Sequence, residues 1–246
     1  QEPSGAAKCP EGIRSILTCK GREMSKIAIV NYSGNVGKTT MAHDLLHFRM
    51  PDYTLIHVES VNADGKEDMI IRGESGEQLH VEMLLNDDLI LDIGSSNLEA
   101  FFRSGENEAE ILNGIDLFVV PVIPDVKQQR DTVKTVHDLL ERGIPANRII
   151  VIPNMTESNT PEYAEEKFLI LTEAMRGFGV SFDMKNAIEK HQLYGKGNRL
   201  ADMISQEDHF SLMEAAKAAG DMEKARYHAT QHTRQRQLRS LNDKYQ

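Results

Sequence analysis

Short apolar runs alternate with amphipathic stretches along most of this chain. Residues 27–30, 53–58, 88–94, 116–123 and 148–154 are dense in β-branched and other apolar side chains, and each reads as a buried strand. Between them, apolar positions recur at helical spacing. Residues 39–48 carry Met41, Leu45, Leu46 and Phe48 on one face and stop at Pro51-Asp52. Residues 126–142 follow Pro124-Asp125 and turn Val133, Val136, Leu139 and Leu140 inward. Residues 65–86 are acidic and irregular, then helical in pattern, with Leu79, Val81, Met83, Leu84 and Leu85 able to face a sheet. The spacing then predicts a helix over 161–175, a short strand over 179–182 and a helix over 184–191. Residues 194–198 read as a turn, since no buried strand precedes them. This alternation builds one α/β domain, a doubly wound, mainly parallel sheet with flanking helices.

Length and composition narrow the class. A chain of 246 residues has room for one large domain with a sizeable core. It is 40% hydrophobic and 27% charged, and no run approaches the ~18 apolar residues of a membrane span, so a soluble, cytoplasmic protein is expected. The formal net charge of −10 argues against coating DNA with the whole surface but leaves room for a local basic patch. Residues 217–246 supply one, with seven Lys/Arg against three Asp/Glu, among them Arg226, Arg234, Arg236 and Arg239. Cys9 and Cys19 both precede Met24, which excludes a disulfide framework or a Cys-ligated metal in the remainder. Residues 1–23 lack apolar periodicity and a signal-peptide core; they read as a leader outside the domain, either upstream sequence or a regulatory arm. The expected organisation is that leader, a domain over 24–216 and a basic helical tail over 217–246.

The candidate chemistry begins where the first strand passes through a small-residue turn into a helix. A loop in that position directs successive backbone N–H groups around a phosphate, and the helix N-terminus adds partial positive charge. Lys38 would reach terminal phosphates and Thr39 would ligate Mg²⁺. Asp92 ends a buried strand, either as a Walker B carboxylate linked to metal or water or as a turn former, and Gly94 lets the following turn approach a γ-phosphate. Glu59 ends another strand, either orienting a water or a metal-bound ligand or as a solvated charge. Asn154 ends a fifth strand, where an amide can pair with a base edge or form a turn.

The run Ser33-Gly34-Asn35-Val36-Gly37-Lys38-Thr39-Thr40 resembles the deviant Walker A loop (K-G-G-x-G-K-[ST]) of the ParA/MinD family of partition and positioning ATPases. Ser33 stands at that family's signature lysine and Asn35 at its second glycine. The resemblance covers most of residues 24–203, and the loop looks most like that of StbB-type plasmid stabilisation ATPases. It implies ATP and Mg²⁺ as cofactors, with Gly34 through Thr40 around the phosphates, Asp92 in a switch segment, Asn154 on the adenine and Phe182 beside the base. The family's D-x-D looks like Glu59-Ser60-Val61 here, with valine at the water-positioning place, so slow hydrolysis is implied. Ser33 cannot supply the cation that crosses the family's dimer interface, so no tight ATP-sandwich dimer is expected. The implied role is ATP-dependent action in plasmid stability, DNA partition or positioning, or conjugation, beside a separate DNA-binding partner. Two alternatives stay open: a nucleotide-gated binding module without turnover, and a P-loop ligase or kinase similar to dethiobiotin synthetase.

Overall fold

The structure, a computed structural model, describes residues 18–19, 22–23, 25–59, 69–72, 76–102, 108–191 and 208–244. The chain divides into two units; one spans residues 16–192, and the C-terminal helices belong to the other.

In the first unit eight strands form one sheet: β1 (Lys26–Ile29), β2 (Thr54–Glu59), β3 (Met69–Arg72), β4 (Leu89–Ile93), β5 (Leu117–Val122), β6 (Ile149–Thr156), β7 (Ser181–Phe182) and β8 (Ile188–Glu189). Their order is β8-β6-β5-β1-β4-β2-β3, with β7 also on β6, and every ladder is parallel. From β1 the chain runs to β2 through α1, a helical turn over Lys38–Thr40 that continues as a wide π-helical segment over Met41–His47. It later crosses from β4 to β5, on the other side of β1. The winding therefore reverses at the carboxyl end of β1, the place where such sheets open a ligand crevice.

The two faces of the sheet are filled by alternate residues of each strand. One face carries Ala28, Val30, Ile56, Val58, Leu91, Phe118 and Val151 into the main core, with Phe101, Phe102, Val136, Leu139, Phe168 and Met175 from the covering helices. Those helices include α2 (Gly76–Leu85), α3 (Leu98–Phe101), α4 (Glu108–Gly114), α5 (Val126–Glu141), α6 (Pro161–Lys167) and α7 (Leu169–Phe178). The opposite face carries Ile27, Ile29, Leu55, His57, Ile90 and Asp92, all buried, and α1 lies over β4 and β2 there with Met41, Ala42 and Leu45 buried.

Four local expectations change. Met69–Arg72, inside a stretch expected to be irregular, is an edge strand in register with Ile56 to Glu59 of β2; four residues between acidic flanks carry too little pattern to declare themselves. On α2 only Leu79 and Met83 are buried, while Val81, Leu84 and Leu85 are 45%, 68% and 73% exposed. The helix expected over 161–175 breaks at Phe168, whose fully buried ring separates α6 from α7. Residues 184–191 are not a helix: a 3₁₀ turn over Met184–Asn186, capped by the Asp183 carboxylate on the Lys185 N–H, leads into β8, which pairs with β6 at Asn154 and Thr156. An open sheet edge outweighs local helical spacing in this segment. Within the expected leader, Thr18–Cys19 and Arg22–Glu23 pair as a short antiparallel ladder. The turn expected over 194–198 lies outside the described residues.

In the second unit, α8 (His209–Ala218) and α9 (Met222–Lys244) form a hairpin around Gly220, whose φ is 76°. Asp208 caps α8 through the Ser211 N–H, and His209 Nδ1 lies 3.0 Å from His228 Nδ1 across the pair. The boundary expected at 216/217 therefore falls inside α8, and the basic helix comes with a partner helix rather than as a lone tail.

The burial pattern separates two leucines. Leu91→Ala removes a fully buried side chain from the main core and should lower unfolding free energy by about 2–5 kcal/mol. Leu84→Ala should stay within about 0.5 kcal/mol of the parent in urea titrations, although the sequence pattern allowed both residues to face the core.

Candidate functional site

The chain leaves β1 through Asn31, which is fully buried and has its side-chain amide bonded at both ends. Its Nδ2 donates to the Pro121 carbonyl (2.8 Å) and to Thr132 Oγ1 (2.7 Å), and its Oδ1 accepts from the Ser33 N–H (2.8 Å). Tyr32 follows, where a standard phosphate loop has its first glycine. Its N–H donates to Thr135 Oγ1, its hydroxyl donates to Asp138 Oδ2 at 2.6 Å, and the Lys134 ammonium sits 4.3 Å from its ring centroid. Burial, then the Asp138 carboxylate, raises the Tyr32 phenol well above its ordinary pKa. These bonds tie the start of the loop to β5 and α5.

The loop then curls through two left-handed residues, Asn35 (φ 58°) and Gly37 (φ 86°). Asparagine tolerates that conformation better than most side chains, so a non-glycine residue can stand there. Gly37 meets a stricter demand: a Cβ built there would stand 2.3 Å from Asn154 Nδ2. Asn154 itself is buried, donating from Nδ2 to the Val36 carbonyl (2.8 Å) and accepting the Met155 N–H on Oδ1 (2.9 Å). The amide expected to read a base is thus engaged in holding the loop. On the other side, a Cβ on Gly34 would lie 3.6 Å from Ser95 Oγ, which places the turn after Asp92 beside the loop.

Lys38 opens α1 and curls back, donating from Nζ to the carbonyls of Ser33 (2.8 Å) and Asn31 (3.3 Å). It is only 8% exposed; burial pushes its ammonium below the ordinary lysine value, and the Asp92 charge opposes that shift. Asp92 is 2% exposed, with Oδ2 at 3.0 Å from His57 Nδ1, while its buried Oδ1 has no hydrogen-bond partner among the described residues. Thr39 is exposed and Thr40 half-buried on the first turn of α1.

The remaining candidates fall elsewhere. Phe182, in β7, packs on Phe168 at 5.6 Å between ring centroids and borders the main core. Glu59 closes β2, with its side chain and Ser60-Val61 outside the described residues. The structure adds His57, Asn31, Tyr32 and Ser95 to the residues the sequence singled out. Of these, only His57 left a signal, a polar residue at an alternating position of an apolar strand.

This arrangement fits an anionic, phosphate-bearing ligand with a divalent cation. Among the described residues, the N–H groups of Gly34 to Lys38 donate to no protein acceptor. Such a row of amides makes an anion cradle. The Lys38 ammonium has a third donor beyond the two carbonyls it holds, and Asp92 Oδ1 offers a buried acceptor.

Gly37→Ala should destabilise the fold by roughly 1–2 kcal/mol from the left-handed backbone alone, and further through the clash with Asn154. Asn154→Ala should cost about 1–3 kcal/mol by stripping the Val36 carbonyl of its donor. Combined, they should cost clearly less than the sum, since the second change removes the clash; urea denaturation of the three variants measures this.

No protein-family model matches this chain, and no curated protein matches it. Among solved structures, it is similar to an ATP complex of McdA from Cyanothece (14% identity, TM-score 0.43), covering 69% of this chain and 84% of that one. It is likewise similar to the MinD cell division protein of Aquifex aeolicus (15% identity, TM-score 0.42), covering 68% of this chain and 82% of that one. A third is the cell division ATPase MinD of Pyrococcus furiosus (13% identity, TM-score 0.43), covering 68% of this chain and 84% of that one.

Proposed function

We propose that this chain binds ATP with Mg²⁺ at the loop of residues 33–40 and hydrolyses it slowly, acting as a ParA/MinD-like protein in plasmid stability, DNA partition or positioning, or conjugation. The observation that carries this reading is the buried Lys38 ammonium, held by its own loop at the N-terminus of α1 with the buried Asp92 carboxylate in its field. Loop amides and Lys38 would hold the phosphates; the Thr39 hydroxyl and Asp92 Oδ1 would hold the metal or its waters. Bound Mg²⁺ would neutralise charge on the transferred phosphate. Asn154 acts through the loop, by fixing Val36, rather than on the base.

The position of Ser33 supports a protein that does not close into a tight ATP-sandwich dimer. Ser33 is 2% exposed, its N–H is held by Asn31 Oδ1, and its buried hydroxyl has no hydrogen-bond partner among the described residues. A residue so placed reaches no partner, and two facing triphosphates without a bridging cation would repel. DNA contact is assigned to α9, where Lys224, Arg226, Arg236 and Arg239 are exposed, beside a separate DNA-binding partner.

Lys38→Met keeps the aliphatic stem and removes the charge. Affinity for a fluorescent ATP analogue should fall by roughly 10- to 100-fold, the value of a charged hydrogen bond of about 1.5–3 kcal/mol. The unfolding midpoint should shift little, because relief from burying the charge offsets the two carbonyls left without their donor. Unchanged affinity removes the nucleotide reading. Followed by light scattering, the same ATP·Mg²⁺ titration of the parent should leave its mass unchanged.

For the DNA contact, each of Arg226→Ala, Arg236→Ala and Arg239→Ala should reduce the slope of log affinity against log salt by about 0.9. A slope unmoved by all three places the contact off α9.

A further inference from the structure

Asp92 stands in a row of three side chains on neighbouring parallel strands, opposite Ile29 of β1 on one side and His57 of β2 on the other. Ile29 offers no hydrogen bond. His57 does: its Nδ1 is 3.0 Å from Asp92 Oδ2, with His57 only 7% exposed. A carboxylate oxygen accepts, so Nδ1 carries the proton and the tautomer follows from the partner. The plane of that imidazole is set from above. The His43 ring of α1 stacks on it at 4.8 Å between centroids and 22° between planes. His43 belongs to the wide-turn segment of α1, and its carbonyl accepts the N–H of Phe48 five residues on. The helix that begins with Lys38 therefore also holds His57.

We propose that His57 is the positioning residue for Asp92, fixing the carboxylate so that its buried Oδ1 would be available to hold a metal or its waters. This rests on the ATP·Mg²⁺ reading of the loop. The nearby competing charge is Lys38, whose ammonium lies in the field of Asp92. Without the imidazole donor, the carboxylate loses the bond that sets its rotation and presents a worse acceptor to a metal-bound water. Hydrogen-bond partners of metal-linked carboxylates act this way, and their loss weakens metal affinity by about 10- to 100-fold.

The test separates positioning from packing. Binding of a fluorescent ATP analogue is measured in EDTA and across a Mg²⁺ titration for the parent, His57→Leu, His57→Asn, Asp92→Ala and the His57→Leu/Asp92→Ala double variant. In His57→Leu, affinity in EDTA should match the parent, because the loop and Lys38 are untouched. The Mg²⁺ concentration needed to enhance binding should rise by about tenfold or more. His57→Asn, whose Nδ2 takes the place of the imidazole Nδ1, should recover most of that loss. In the Asp92→Ala background, His57→Leu should add nothing. Equal Mg²⁺ dependence in the parent and His57→Leu overturns the proposal, as does an additive effect in the double variant or a fall in EDTA affinity that His57→Asn does not restore. A parent that binds no nucleotide in either condition overturns the ATP reading instead, so the two failures are distinct.

Discussion

Burying the Lys38 ammonium is the constraint on which the end of β1 depends. Removing such a charge from water is costly unless acceptors replace the lost solvent. Two carbonyls of its own loop do so, those of Asn31 and Ser33, with the Asp92 carboxylate adding its field. The loop must curl to aim them, and that curl needs left-handed backbone at Asn35 and Gly37. The curl must then be held. Asn154 grips it from β6 through the Val36 carbonyl, and Asn31 anchors it to Pro121 of β5 and Thr132 of α5.

The anchoring spreads well beyond the loop. Thr132 and Thr135 are fully buried polar residues on the core-facing side of α5, and each back-bonds to its own helix while serving Asn31 or Tyr32. A network with every member satisfied is rigid, and one missing partner leaves others unpaired at low dielectric. Tyr32 adds a second tether through Asp138, one helical turn further along α5. A tyrosine where a standard phosphate loop carries glycine is thereby explained: it exchanges backbone freedom for attachment to the neighbouring helix.

The parallel sheet was legible because strands buried on both faces are largely apolar runs, as β1, β2, β4, β5 and β6 are apart from a few polar positions such as His57 and Asp92. The loop was legible because glycines, lysine and threonine stand together between a strand and a helix. Lys38 lies in the field of the Asp92 carboxylate. What stayed hidden were properties of pairing between distant segments. Met69–Arg72 is a strand only because β2 offers an edge, and Ile188–Glu189 only because β6 does. Phe182 packs on Phe168, a partner no local pattern names. His57 faces Asp92 through a register spanning 35 residues of sequence separation, so a histidine in an apolar strand gave no hint of what it touches.

The all-parallel arrangement also fixes when the loop can become ordered during folding. β1 has no neighbour close in sequence: Lys26 pairs with Leu89 and Ile27 with Leu117, and the N–H groups of Ser25 and Lys26 both donate to the Asp116 carboxylate. Loop-closure entropy must be spent before such contacts return anything. On a chain synthesised from the N-terminus, the phosphate loop emerges among the first segments of the domain, yet its anchors at Pro121, Thr132 and Asn154 come about a hundred residues later. A segment translated early in the domain thus acquires its shape only after β5, α5 and β6 have followed it.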